Sequence, residues 1–178
     1  KYEYQNFNSF ANSSQFPGLY DTLASFISQM FPKKYEIQTH HLTNLFFSFS
    51  AIFGISKISK VLFNKKVAKI VFLIAFLNPI FFGHMSINPK DTIMAFSNIW
   101  ATYFIIRYLQ THHLQTKRKY FSTLIGISIG FGLGVRGIFI ATLLPIFILF
   151  FVDIFFFKII SRKKISIINF FKDFIKIF

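Results

Sequence analysis

The chain contains no cysteine. Disulfides and cysteine-ligated metals are therefore excluded. Acids are scarce: six Asp and Glu stand against 20 Lys and Arg, a net charge of +14. The long apolar runs are almost free of charge away from their ends, unlike a transporter with ionisable groups near mid-membrane. No initiator Met and no signal-peptide pattern stand at the start. Lys1 to Phe16 is polar and aromatic, like the interior of a loop, and Phe178 falls within an apolar amphipathic run. The expectation is a fragment of a longer protein, with at least one membrane helix before Lys1.

Hydrophobic residues make up 53% of the chain and include 29 Phe. They come in runs such as Phe46–Phe47, Phe81–Phe82 and Phe155–Phe156–Phe157, more than a soluble domain of this size could bury. High positive charge suits either nucleic acid or an anionic membrane surface. Here the basic residues occupy the gaps between apolar runs, which is membrane topology. A lipid bilayer is the expected partner, and nucleic acid is not.

Five apolar segments follow one another at 42–58, 67–83, 92–109, 120–135 and 138–157. Several are shorter than the ~20 residues of a perpendicular span. The expected fold is an all-α, polytopic transmembrane bundle forming a single membrane domain over 1–178. Residues 1–41 would belong to an outer loop. Within them, Leu19, Leu23, Phe26, Ile27, Met30 and Phe31 share one helical face, so 19–31 reads as an interfacial amphipathic helix. A second such helix is expected at 165–178. Gly126, Gly130, Gly132 and Gly134 in the fourth segment suit close helix packing in lipid. The alternative is that they loosen the helix before Arg136–Gly137.

Basic residues give the orientation. The gaps 57–69 and 107–119 and the stretch 158–164 hold 13 Lys and Arg (five, four and four) and no acid. By the positive-inside rule these face the cytoplasm. Glu3, Asp21, Glu36, Asp91 and Arg136 then fall on the outer side.

One outer loop concentrates polar groups. Between Phe82 and Thr92 lie His84, Asn88, Lys90 and Asp91, flanked by Asn78–Pro79 and Asn88–Pro89. Residues before proline avoid helical backbone, and proline suits the first turn of a helix. One span should therefore end near Asn78 to Phe82 and the next begin near Pro89, with Asp91 in its first turn. The helix dipole alone would favour an acid there. Lys90 also fits a plain interfacial anchor. Asp91 with His84 is a candidate metal pair, although two ligands seven residues apart are a thin set.

The pattern Gly83-His84-x-x-x-Asn88-Pro89-Lys90-Asp91 resembles a motif of bacterial membrane glycosyltransferases of the GT-C class. These are relatives of the protein mannosyltransferases and the aminoarabinose transferases. Gly18–Leu19–Tyr20–Asp21–Thr22–Leu23–Ala24 looks like that family's first outer loop, and His40–His41–Leu42–Thr43–Asn44–Leu45 like the start of its second span. Gly130 to Arg136 is similar to its glycine-rich fifth span. The resemblance covers roughly 15–150, making the chain part of such a domain. It implies transfer of a sugar from a polyprenyl-phosphate donor to a glycan, lipid or protein acceptor. The reaction would take place at the outer, periplasmic face of a bacterial inner membrane. It implies that Asp91 lies at the active site and that a further acid, the stronger candidate for general base, lies upstream of Lys1.

Glycosyl transfer needs a carboxylate for the acceptor proton or the oxocarbenium-like transition state. It needs cationic groups for the departing phosphate. Asp91 suits the first, as base or as a ligand to a divalent metal, the one cofactor the pattern admits. Lys90 and Arg136 suit the second. His84 and Asn88 are candidates for orienting substrate or Asp91, and Asp21 for lining the acceptor cleft. The alternative is a transporter or polysaccharide-export subunit without transferase activity.

Overall fold

The structure is a computed structural model, and it describes residues 18–85, 88–111 and 114–157. The expected helix at 165–178, the loop before Gly18 and the basic stretch 158–164 lie outside those residues. Among the described residues every regular element is helical: α1 (Leu19–Ser28), a 3₁₀ turn (Lys33–Tyr35), α2 (Glu36–Leu62), α3 (Lys65–Leu77), α4 (Pro79–His84), α5 (Pro89–Thr111), α6 (Gln115–Leu133) and α7 (Phe139–Val152), continued by a π turn (Asp153–Phe157). Each of the five expected apolar segments is helical.

Their ends follow local chemistry. Pro32 cannot continue the helix that stops at Ser28, and the 3₁₀ turn leads directly into α2. The Asn64 side chain caps α3 by accepting from Lys66 N at 2.9 Å and Val67 N at 3.0 Å. The expected segment 67–83 is broken in two. Asn78, held extended before Pro79, accepts from Phe81 N at 3.0 Å and starts α4. The expected segment 42–58 is longer in the structure, because Glu36 to Leu62 contains no proline and one glycine. With the preceding turn it forms a 30-residue unit whose most apolar 18-residue stretch has a mean hydropathy of 1.5, long and apolar enough to cross a membrane.

The central helix is α5, which packs on α2, α6, α7 and α1. Its far half joins α6 and α7 in the main core, with Ile105, Leu109, Phe121, Ile125, Phe139 and Leu143 buried. Glycines permit the closest approaches. A Cβ on Gly54 would sit 2.6 Å from Ile99 Cγ2, and one on Gly132 would sit 2.6 Å from the Phe139 ring. Gly130 has nothing within 4 Å, so close packing falls on Gly132 and not on Gly130, two residues earlier and on the opposite side of the helix.

Beside that apolar core, some polar side chains are buried and many large apolar ones are exposed. Asn44, Ser48, Thr92 and Ser97 are buried, while Phe46, Ile70, Leu73, Ile74, Leu77 and Ile148 are exposed. Lipid tolerates that surface and water does not. In α1 the protein-facing stripe is Tyr20, Ala24 and Ser28. Leu19, Phe26, Met30 and Phe31 stay exposed, as an interfacial helix keeping its apolar face for lipid would show. Ser28 is buried because it lies one turn beyond Ala24 on the stripe that meets the bundle.

Candidate active site

The polar loop and the turn after α6 meet at one end of the bundle. Asn88 stands just before α5. Its Oδ1 accepts from Asp91 N at 3.4 Å, and its Nδ2 donates to Asp91 Oδ2 at 2.8 Å. This is a reciprocal cap, set by the spacing Asn88-Pro89-Lys90-Asp91. The other carboxylate oxygen, Oδ1, lies 3.2 Å from Arg136 Nη1. Arg136 Nε is buried and has no partner among the described residues.

Arg136 reaches Asp91 because the chain turns sharply after α6. Val135 N and Arg136 N both donate to Gly132 O, at 3.2 and 3.1 Å. Helix α1 locks that turn: Leu19 N donates to Gly134 O at 3.0 Å. A Cβ on Gly134 would lie 2.5 Å from Leu19 Cδ2 and 2.9 Å from Leu19 Cβ, so this contact requires glycine. Behind the ion pair, Tyr20, Ala24, Ile93 and Val135 form a small buried cluster with Phe47 and Phe131 against it. Ile93 is two residues from Asp91, and Val135 adjoins Arg136. The packing thus carries both charged residues to the same place.

The same end is anchored to α2. The Ser48 hydroxyl donates to Met85 O at 3.1 Å. The Thr92 hydroxyl meets the Asn44 side-chain amide in a buried hydrogen bond. Tyr20 donates its hydroxyl to His40 O at 3.0 Å. Burial, with a smaller contribution from the Asp21 charge, pushes the Tyr20 pKa up to about 12.

The sequence candidates separate accordingly. Asp91, Asn88 and Arg136 are brought together. Lys90 lies half-buried in the first turn of α5. His84 ends α4 with an exposed side chain; its carbonyl accepts from Asn88 N at 3.1 Å. Asp21 is exposed on α1, beside the buried stripe. Asn44, Ser48, Thr92 and Tyr20 support the site and were not among the candidates. A lone Asn within an apolar run was the available signal for Asn44.

Both Asp91 oxygens are engaged, one by Arg136 and one by Asn88. Among the described residues no group of three His, Asp or Glu lies together as metal ligands.

An apolar groove opens between α1 and the first half of α2. It encloses about 580 Å³ and is lined by residues including Leu23, Ile27, Phe31, Leu42, Thr43 and Phe47. Thr43 precedes Asn44, and Phe47 packs against the cluster behind the ion pair.

The family model for dolichyl-phosphate-mannose-protein mannosyltransferase matches residues 20–169. No curated protein and no solved structure matches the chain.

Proposed function

The chain belongs to the dolichyl-phosphate-mannose-protein mannosyltransferase family, and from that membership we propose how its polar end works in sugar transfer. The donor is a polyprenyl-phosphate sugar and the acceptor a hydroxyl on a glycan, lipid or protein. The site faces the outer, periplasmic side of a multi-pass bacterial inner-membrane protein. The 13 basic and no acidic residues in the gaps 57–69 and 107–119 and the stretch 158–164 support that orientation.

The observation that carries the reading is the Asp91–Arg136 pair, 3.2 Å apart and open to the surface. In the transfer, the bond between sugar C1 and the phosphate oxygen breaks, and its electron pair leaves with the phosphate. The acceptor oxygen bonds to C1. Its proton passes to a carboxylate, the role this reading gives Asp91. Arg136 steadies the developing phosphate charge through guanidinium donors beyond the one facing Asp91. Lys90, one residue away on the same turn, adds a second cation. Asn88 fixes the Asp91 carboxylate. The groove between α1 and α2 supplies an apolar wall for the lipid part of a substrate.

Replacing Asp91 with Asn in the membrane-embedded protein tests this directly. Transfer from polyprenyl-phosphate mannose should fall by about 100-fold or more. Unchanged transfer would remove Asp91 from the chemistry.

A further inference from the structure

Asn44 is 1% exposed and sits in the first third of α2, among residues that otherwise read as a membrane span. Its Oδ1 meets the Thr92 hydroxyl. That hydroxyl also faces Asn88 O at 2.7 Å and Pro89 O at 3.3 Å. One proton serves one of these acceptors well. Meanwhile Asn44 Nδ2 is buried with no partner among the described residues. Leaving a buried amide donor unpaired costs about 1–3 kcal/mol. A half-turn of the Asn44 amide pairs the buried nitrogen and frees the Thr92 proton for one acceptor, with Oδ1 taking the position the nitrogen held. Its nitrogen then donates to Thr92 Oγ1, and the Thr92 proton goes to Asn88 O.

We propose that Asn44 is a positioning residue for Asp91, acting through Thr92 and Asn88. Donation then runs one way, from the Asn44 amide to the Thr92 hydroxyl to the Asn88 carbonyl. The Asn88 amide in turn donates to Asp91 Oδ2 at 2.8 Å. One helical turn along α2, the Ser48 hydroxyl is shared between Asn44 O at 2.9 Å and Met85 O at 3.1 Å. Helix α2 thereby pins the polar loop on both sides, before it at Met85 and after it at Thr92. A polar group here needs a reason, since a well-packed apolar residue would avoid the desolvation cost. Interhelical adhesion alone would not require the strut to end on the residue that holds Asp91.

This inference rests on the proposed role of Asp91, and the test separates the two. Asn44→Leu, Thr92→Val and Thr92→Ser are compared with the unmodified protein, using polyprenyl-phosphate mannose as donor and thermal unfolding as a check on folding. Asn44→Leu and Thr92→Val should lower kcat at least about ten-fold while the donor KM stays within about two-fold. Thr92→Ser, which keeps the hydroxyl, should restore kcat. On the residual rate of Asp91→Asn, Asn44→Leu should cause no loss beyond about two-fold, because both act on one unit. An unchanged kcat in Asn44→Leu overturns the proposal. So does an equal loss in Thr92→Ser and Thr92→Val, which marks a packing effect. If Asn44→Leu fails to fold, the Thr92 pair decides alone. If Asp91→Asn itself leaves transfer intact, the reading of the site fails, and this inference with it.

Discussion

Arg136 Nη1 lies 3.2 Å from Asp91 Oδ1, joining the turn after α6 to the first turn of α5. The Asp91 side chain is 58% exposed and that of Arg136 34%. Such pairs contribute at most about 1 kcal/mol to stability. Arg136→Gln should therefore leave the melting temperature nearly unchanged. Transfer should fall by about 100-fold, the loss expected from removing a donor aimed at developing charge. Arg136→Lys should recover part of it, since charge remains but the planar fork does not. Parallel unfolding and transfer assays check this; a large stability loss with modest kinetic change would make the pair structural.

Gly134→Ala tests whether α1 holds that turn in place. The added Cβ meets Leu19 Cδ2 at 2.5 Å and Leu19 Cβ at 2.9 Å, and the second atom cannot swing away. The cost should be about 1–3 kcal/mol, with lost transfer as the turn shifts. Leu19→Ala in the same protein removes the Cδ2 contact and should rescue only in part, since the Cβ contact stays. Gly130→Ala, with nothing within 4 Å, is the control. It should be neutral or stabilising by about 0.5–1 kcal/mol, as alanine suits a helix interior better than glycine. Limited proteolysis of α1 reports its release.

Tyr20 gives a pH dependence at the alkaline end. Its pKa is pushed up to about 12 in the fold against about 10 in the unfolded chain. Below the unfolded value both states keep the proton, and stability does not vary through this group. Between the two values the unfolded chain has lost its proton and the folded one has not, so stability falls as pH rises. The loss should reach about 1–3 kcal/mol near pH 12, seen as earlier release of α1. Tyr20→Phe should remove this slope, at the cost of the bond to His40 O.

Much of this architecture was legible in the sequence because its punctuation is local. Proline and asparagine set the ends of α3, α4 and α5 through neighbouring backbone groups, so Asn78–Pro79 and Asn88–Pro89 could be read directly. The grouping of Asn88 with Asp91 was legible for the same reason, as a cap written over four residues. The pairing of Asp91 with Arg136 was not. Both were placed on one face, but only the packing of Ile93 and Val135 in a shared cluster brings them into contact. Asn44 was hidden for a related reason. Its partner Thr92 lies 48 residues away, and periodicity reports a buried face without naming what it meets.

The two Asn–Pro dipeptides offer an internal comparison. Asn78 and Asn88 each precede a helix, and each accepts from the backbone N–H three residues on, at 3.0 and 3.4 Å. Only Asn88 also donates to a carboxylate. Loss of either cap by substitution with alanine should cost about 1 kcal/mol. Only Asn88→Ala should also lower kcat, because Asp91 then loses the donor that orients it. Asn88→Ser separates the two duties. Serine keeps a capping oxygen but has no amide to reach Asp91 Oδ2, so stability should return while transfer stays low. If Asn88→Ser restores transfer along with stability, the 2.8 Å bond is incidental to the chemistry and Asn88 is a cap alone.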